Sequence, residues 1–230
     1  MPRHLSTAEK IKRGALFLYR YILEALFPTH CIGCGAPEKR LCSRCAEKLP
    51  RAETPRVAHT VAIFSYGHDT VSRMIHRLKY GGETRIAELC AELIHDDILE
   101  TLSEKYLFEN YRKPLLIPVP LHAKRLRARG YNQSELIARA LCALAPETFT
   151  LNTTALAKTK ETRSQTEIQN KEERKRNIRG AFAVAKPEDV RGRHVILIDD
   201  VTTTGATIRE ARAVLKKSGA KTVHAYTIAH

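Results

Sequence analysis

The sequence predicts an α/β fold, a parallel sheet flanked by helices, with a small metal-stapled module ahead of it. Three observations carry this. Residues 195–198 (Val-Ile-Leu-Ile) form a short, wholly apolar run, the pattern of a strand buried on both faces. Residues 115–119 (Leu-Leu-Ile-Pro-Val) form a second such run, and apolar residues at helical spacing follow each of them. Far upstream, Cys31, Cys34, Cys42 and Cys45 make two C-x-x-C pairs close together.

The 230 residues have room for one domain of ordinary size plus a small appendage, and 43% hydrophobic content is enough for a real core. The formal net charge is +14, with a pI near 9.7, and the excess is concentrated between residues 113 and 181. Such a balance fits an anionic partner, either nucleic acid or an anionic membrane surface, or a basic surface that serves only solubility. Tryptophan is absent and aromatics are only 6%, so a long base-stacking platform is not expected. No secretory signal is apparent. The apolar stretch at 15–27 is interrupted by Arg20 and Glu24 and is too short and charged to span a bilayer. A cytoplasmic location is expected, and six cysteines in a reducing compartment favour metal binding over disulfides.

Residues 8–27 read as one amphipathic helix, with Ile11, Ala15, Leu18, Ile22 and Leu26 in a stripe. The stripe suits packing on the rest of the protein or peripheral contact with a membrane surface. Residues 1–28 are therefore one segment. The cysteine pairs follow in residues 29–56. Each pair forms a knuckle whose two sulfurs reach one ion, and four thiolates suit tetrahedral Zn²⁺, although an iron centre takes the same ligands. So short a segment cannot bury a core, so the metal must supply its fold. Residues 50–57 read as a linker.

The larger domain, residues 57–230, opens with a strand at 61–65. A basic helix containing Ile75 and Leu78 follows and stops at Lys79-Tyr80-Gly81-Gly82. Ile86, Leu89, Cys90, Leu93 and Ile94 mark the next helix. Leu136, Ile137, Ala140, Leu141 and Leu144 mark another, flanked by Cys142, and both cysteines read as core. The strand at 115–119 opens into a connection crowded with Lys124, Arg125, Arg127 and Arg129, followed by Gly130 and Tyr131. Lys124, Arg125 and Arg127 are candidates for contact with a nucleic-acid backbone, as are Arg163, Arg174 and Arg176 in the long basic stretch 158–179. That stretch lies between two strands. It suits a lid closing over a ligand or a clamp on a nucleic-acid strand.

The strand at 195–198 ends in Asp199 and Asp200, followed by Val201, Thr202, Thr203, Thr204, Gly205, Ala206 and Thr207, and then a helix with Ile208, Ala211, Val214 and Leu215. Ligands of open α/β sheets sit beyond the carboxyl ends of the strands. The hydroxyls, the glycine and the amides opening the helix make a site for a phosphate dianion. Two carboxylates cannot bind that phosphate. They would accept hydrogen bonds from a neutral diol or hold hydrated Mg²⁺. A sugar bearing a phosphate and a vicinal diol fits both features. A closing strand is expected at 222–228.

The stretch 195–207 resembles the 5-phosphoribosyl-1-pyrophosphate (PRPP) motif of the type I phosphoribosyltransferases. The resemblance implies that Asp199 and Asp200 hold the ribose hydroxyls and that the loop from Thr202 to Thr207 cradles the 5′-phosphate. Arg129-Gly130-Tyr131 resembles the pyrophosphate loop of the adenine branch, which implies contact of Arg129 and the Gly130–Tyr131 backbone with the diphosphate, with Mg²⁺ as the accompanying ion. By the same resemblance Asp199, Asp200 and Arg129 are the candidate catalytic residues. The ordered set of four cysteines, Ile-Pro-Val-Pro-Leu, Arg-Gly-Tyr-Asn-Gln, Arg163-x-Gln165-Thr166, Arg174-x-x-Asn177, Gly180-Ala-Phe182 and the PRPP motif is similar to the ComF (ComFC, GntX-like) family. That family implies a phosphoribosyltransferase-like, Rossmann-type sheet and a role in natural transformation. The implied partners are single-stranded DNA, a phosphoribosyl ligand, and a DNA-uptake helicase or recombination mediator. The alternative it leaves open is an active phosphoribosyltransferase with an unidentified acceptor.

Overall fold

The structure is a computed structural model that describes residues 29–37, 39–53, 58–109, 113–162 and 171–230. The expected helix at 8–27, Arg163, Gln165 and Thr166 lie outside the described residues. Arg174 lies on a described helix, but its side chain is outside the description. The chain divides into two units, residues 1–48 and 49–230.

In the first unit the described residues form two tight turns and a one-turn helix, α1 (Ser43–Ala46). A single bridge joins His30 to Pro37, and Ile32 N donates to Arg40 O at 2.8 Å. Cys31, Ile32 and Leu41 are its buried apolar residues.

The second unit runs β1 (Thr60–Phe64), α2 (Asp69–Tyr80), α3 (Arg85–Glu109), β2 (Leu115–Pro118), α4 (Ala123–Arg129), α5 (Gln133–Leu144) and β3 (Thr150–Leu151). It continues with β4 (Leu156–Lys158), α6 (Lys171–Ile178), β5 (Phe182–Val184), α7 (Pro187–Val190), β6 (His194–Val201), α8 (Ala206–Lys217) and β7 (Thr222–Ala229). Five strands make one parallel sheet in the order β1-β7-β6-β2-β3, while β4 and β5 pair antiparallel beside it.

β6 is central because it is apolar on both sides, as the run Val195, Ile196, Leu197, Ile198 requires. Leu115, Ile117, Val195, Leu197, Val223 and Ala225 pack with Ile208, Ala211 and Leu215 of α8 on one face. Alternation along each strand sends Leu116, Ile196, Ile198 and Tyr226 to the other, the face on which α5 packs. Each such buried Ile or Leu contributes roughly 1.5–3 kcal/mol, so the sheet is the stable frame to which the loops are attached. Cys90 is fully buried and Cys142 half-buried, in keeping with core roles.

One boundary differs from expectation in a way that matters. β6 does not stop at Ile198 but runs through both aspartates to Val201, with Asp199 paired to Thr227 and Val201 to Ala229 of β7. Carboxylates are unfavourable in strands, but these two lie at the open end of the sheet, where each Oδ1 accepts a hydrogen bond and Asp200 Oδ2 faces Lys79. Residues 50–52, within the expected linker, run antiparallel along β1. Ser65 N donates to Pro50 O and Ala52 N to Ile63 O.

Candidate functional site: a cavity over the carboxyl end of the sheet

The end of β6 and the loop after it form the floor of the site. Gly205 adopts φ +69, a left-handed conformation that a side chain would strain, and this turns the chain from strand to helix. Gly205, the residue that opens α8, has no side chain to cap it, and a helix start of this kind is suited to an anion. The buried hydroxyls of Thr202 and Thr204 have no hydrogen-bond partner among the described residues. Such orphaned polar atoms cost roughly 1–3 kcal/mol each and are kept where a site needs them.

Asp199 and Asp200 are 8% and 4% exposed. Asp199 Oδ1 accepts from Ser134 Oγ at 2.9 Å and from the Asp200 amide at 2.9 Å. Burial first, and then the adjacent Asp200 charge, push the Asp199 carboxyl up to about 7. Asp200 Oδ1 accepts from the Val201 amide at 2.7 Å, and its Oδ2 lies 3.0 Å from Lys79 Nζ. Burial works against the Lys79 charge, but the carboxylates of Asp200 and Asp199 more than offset it, so its pKa lies above the ordinary lysine value.

The Arg-Gly-Tyr turn forms one wall. Gly130 ends α4 with φ +83, and its amide donates to Leu126 O. Asn132 then caps α5 by accepting from Ser134 N, and its Nδ2 donates to Val119 O. This local chemistry sets Ser134 against Asp199. Tyr131 Oη donates to Leu78 O at 2.8 Å, tying the turn to the last turn of α2. Arg129 hydrogen-bonds Gln133 and lies over the Tyr80 ring, 5.2 Å from its centroid. Opposite, Arg125 donates to Thr162 O at 2.9 Å, and Lys124 pairs with Glu161 at 3.0 Å. Burial, with the Arg125 charge beside it, pulls Lys158 down to about 8.

These groups enclose a cavity of about 650 Å³. Asp199, Asp200, Val201, Thr203, Thr207, Arg129 and Tyr131 of the predicted set line it, as does Arg125, while Gly130, Thr202, Thr204, Gly205 and Ala206 are not among its lining residues. Arg127 and Arg176 are exposed and are not among the residues that line the cavity. Sequence reasoning missed Lys79, Ser134 and Lys158. Each comes from an element far away in sequence, and no local motif marks them. The only signal for Lys79 was its place at a helix end, two residues before a pair of glycines.

In the first unit the four cysteine sulfurs lie within 4.8 Å of one another. Cys42 Sγ is 3.7 Å from Cys31 Sγ and 3.8 Å from Cys34 Sγ, and the Cys42 amide donates to Cys31 Sγ at 3.4 Å. Metal–sulfur bonds of about 2.3 Å at tetrahedral angles put sulfurs about 3.8 Å apart, so the cluster has the dimensions of one tetrahedral ion. Among the described residues no helix is long and apolar enough to cross a membrane.

The phosphoribosyl transferase domain family matches residues 130–230, from the Arg-Gly-Tyr turn to the closing strand. The DNA utilization protein YhgH of Shigella flexneri is 31% identical over 203 residues, 87% of this chain and 83% of that one. Competence protein F of Haemophilus influenzae is 29% identical over 88% of this chain and 85% of its own length. Competence protein ComFC of Bacillus subtilis is 26% identical over 84% and 85%. This chain therefore belongs to the family of YhgH, competence protein F and ComFC, and its residues 130–230 carry a phosphoribosyl transferase domain.

Proposed function

We propose that this protein binds single-stranded DNA during DNA uptake and carries a pocket for PRPP or a related phosphoribosyl ligand with Mg²⁺. The observation that carries the reading is the composition of the cavity. Two buried carboxylates sit on the floor, the glycine-led start of α8 with Thr203 and Thr207 lies beside them, and Lys79, Arg125, Arg129 and Lys158 stand on the walls. Acids for a diol, amides for a monophosphate and cations for a diphosphate are the three recognition elements such a sugar needs. The basic surface supports the second half of the reading, since DNA uptake delivers a phosphate-rich strand. The cysteine cluster fits Zn²⁺ as a closed structural site whose binding free energy folds residues 29–48. A DNA-uptake helicase or recombination mediator is the class of protein partner this role requires.

Binding of a labelled single-stranded oligonucleotide across a salt series, with and without Mg·PRPP, tests the proposal. The expected result is an affinity that falls with log slope of about 0.7 per phosphate contact and changes on adding PRPP. No binding at low salt overturns the DNA half, and no heat or proton signal on titrating Mg·PRPP overturns the ligand half.

One observation favours turnover as a second reading: a buried carboxyl with a pKa near 7 stands on the cavity floor, suited to take a proton from an acceptor at neutral pH. Catalysis would then be positioning plus charge stabilisation by the wall cations as diphosphate leaves. Diphosphate release in a screen of nucleobases and amines, abolished in Asp200→Asn, is the expected result; a silent screen removes this reading.

A further inference from the structure

Tyr80 is the most exposed large apolar side chain among the described residues, at 66%, while its neighbours in the fold are anchored. It is the last residue of α2, between Lys79, which is paired to Asp200, and Gly81, which ends the helix. The Tyr131 hydroxyl holds the carbonyl of Leu78, two residues before Tyr80. The backbone carrying the ring is therefore pinned on two sides. The ring also lines the cavity, so a residue both exposed and cavity-lining stands on its rim. The Arg129 guanidinium lies 5.2 Å from its centroid, and the His76 ring is tilted 49° at 5.1 Å. An exposed tyrosine has an obvious solubility cost, and nothing in the packing of α2 requires this one.

A planar ring beside a guanidinium, on the rim of a cation-walled cavity, recognises a group with a π face carried on an anionic chain. Lipid offers no such face, and a protein partner would meet the cations of the cavity without an anion to match them. We propose that Tyr80, flanked by Arg129, is the stacking platform for an unpaired nucleobase at the rim of the cavity. The base comes from a single strand or from a free nucleobase or nucleotide; the chemistry is the same, and the first source rests on the DNA reading above. Tyr131 does not share the role, because its hydroxyl is committed to Leu78 and its ring is half-buried.

The test compares wild type with Tyr80→Ala, Tyr80→Phe and Tyr80→Trp, each checked for an unchanged melting temperature. The probes are an oligothymidylate, an abasic oligonucleotide of the same length, adenine and thymidine monophosphate. Stacking of one base corresponds to roughly 5- to 100-fold in affinity. Wild type should prefer the thymidylate strand to the abasic one by that factor, Tyr80→Ala should erase the preference, and the aromatic variants should keep it. Equal binding of the two strands, together with a loss of adenine or nucleotide binding in Tyr80→Ala, would assign the platform to a free base. Wild type that binds both strands equally and the small probes independently of residue 80 overturns the proposal. If wild type binds neither strand, the DNA reading falls separately, and adenine and nucleotide binding alone decide the platform. Photo-crosslinking of a 5-iodouracil strand to wild type supplies a readout free of mutation: adduct on Tyr80 is expected, and adducts elsewhere with none on Tyr80 overturn the single-strand source of the base.

Discussion

Lys79 Nζ lies 3.0 Å from Asp200 Oδ2, joining the last turn of α2 to the end of β6 across more than half the length of the domain in sequence. The pair gives one of two adjacent buried acids a direct counter-charge, while Lys79 acts on the other only at longer range. Burial and the adjacent Asp200 charge raise the Asp199 carboxyl, and Lys79, Ser134 and the Asp200 amide offset only part of that rise.

The first consequence concerns Lys79 itself. Lys79→Gln leaves the Asp200 charge buried without its partner, which should cost about 2–4 kcal/mol in urea unfolding, short of a fully buried pair because Lys79 retains 22% side-chain exposure. Adding Asp200→Asn to that variant should recover most of the loss. Additive effects in the double-mutant cycle would show that the two groups do not interact.

Asp199 predicts how stability depends on pH. Its folded pKa of about 7 lies above the ordinary value of 3.8, so between roughly pH 4 and 7 the folded protein holds a proton that the unfolded chain has released. Unfolding then releases that proton, and stability falls as pH rises through the window. Asn mimics the protonated acid and can still accept from Ser134 and the Asp200 amide. Asp199→Asn should therefore flatten this part of the profile and melt higher than wild type at pH 8. An unchanged slope would mean that Asp199 is ionised throughout.

Lys158 predicts proton-linked anion binding. Burial and Arg125 lower it to about 8, and a diphosphate in the cavity would oppose both by supplying negative charge. Binding above pH 8 should therefore take up a proton. Calorimetric titration of diphosphate in buffers of different ionisation enthalpy measures that uptake directly, and Lys158→Gln should abolish it.

The cysteine module predicts one bound zinc per chain, released by mercurial titration and detected with a colorimetric chelator. Cys42→Ser removes the sulfur that stands closest to two others, so it should lose the ion and expose residues 29–48 to proteolysis. Full metal content in that variant would rule out a four-thiolate site.

The sequence by itself determined what local patterns encode. The apolar run at 195–198 could only be a central buried strand. Gly130 and Gly205 stand where left-handed backbone is required, and two close C-x-x-C pairs could serve one ion. Each depends on residues within a few positions of one another, so composition and spacing suffice. Only the tertiary structure decided how the wall groups meet the acids. It brought Lys79 to Asp200, Ser134 to Asp199 and Lys158 toward Arg125, contacts spanning distant elements. It also carried β6 one pairing step past both aspartates, because the partner strand β7 continues alongside. It left Tyr80 on the rim while Tyr131, similar in sequence context, was turned inward to Leu78. Burial, charge pairing and exposure depend on what the rest of the chain places beside a residue, and no window of sequence contains that information.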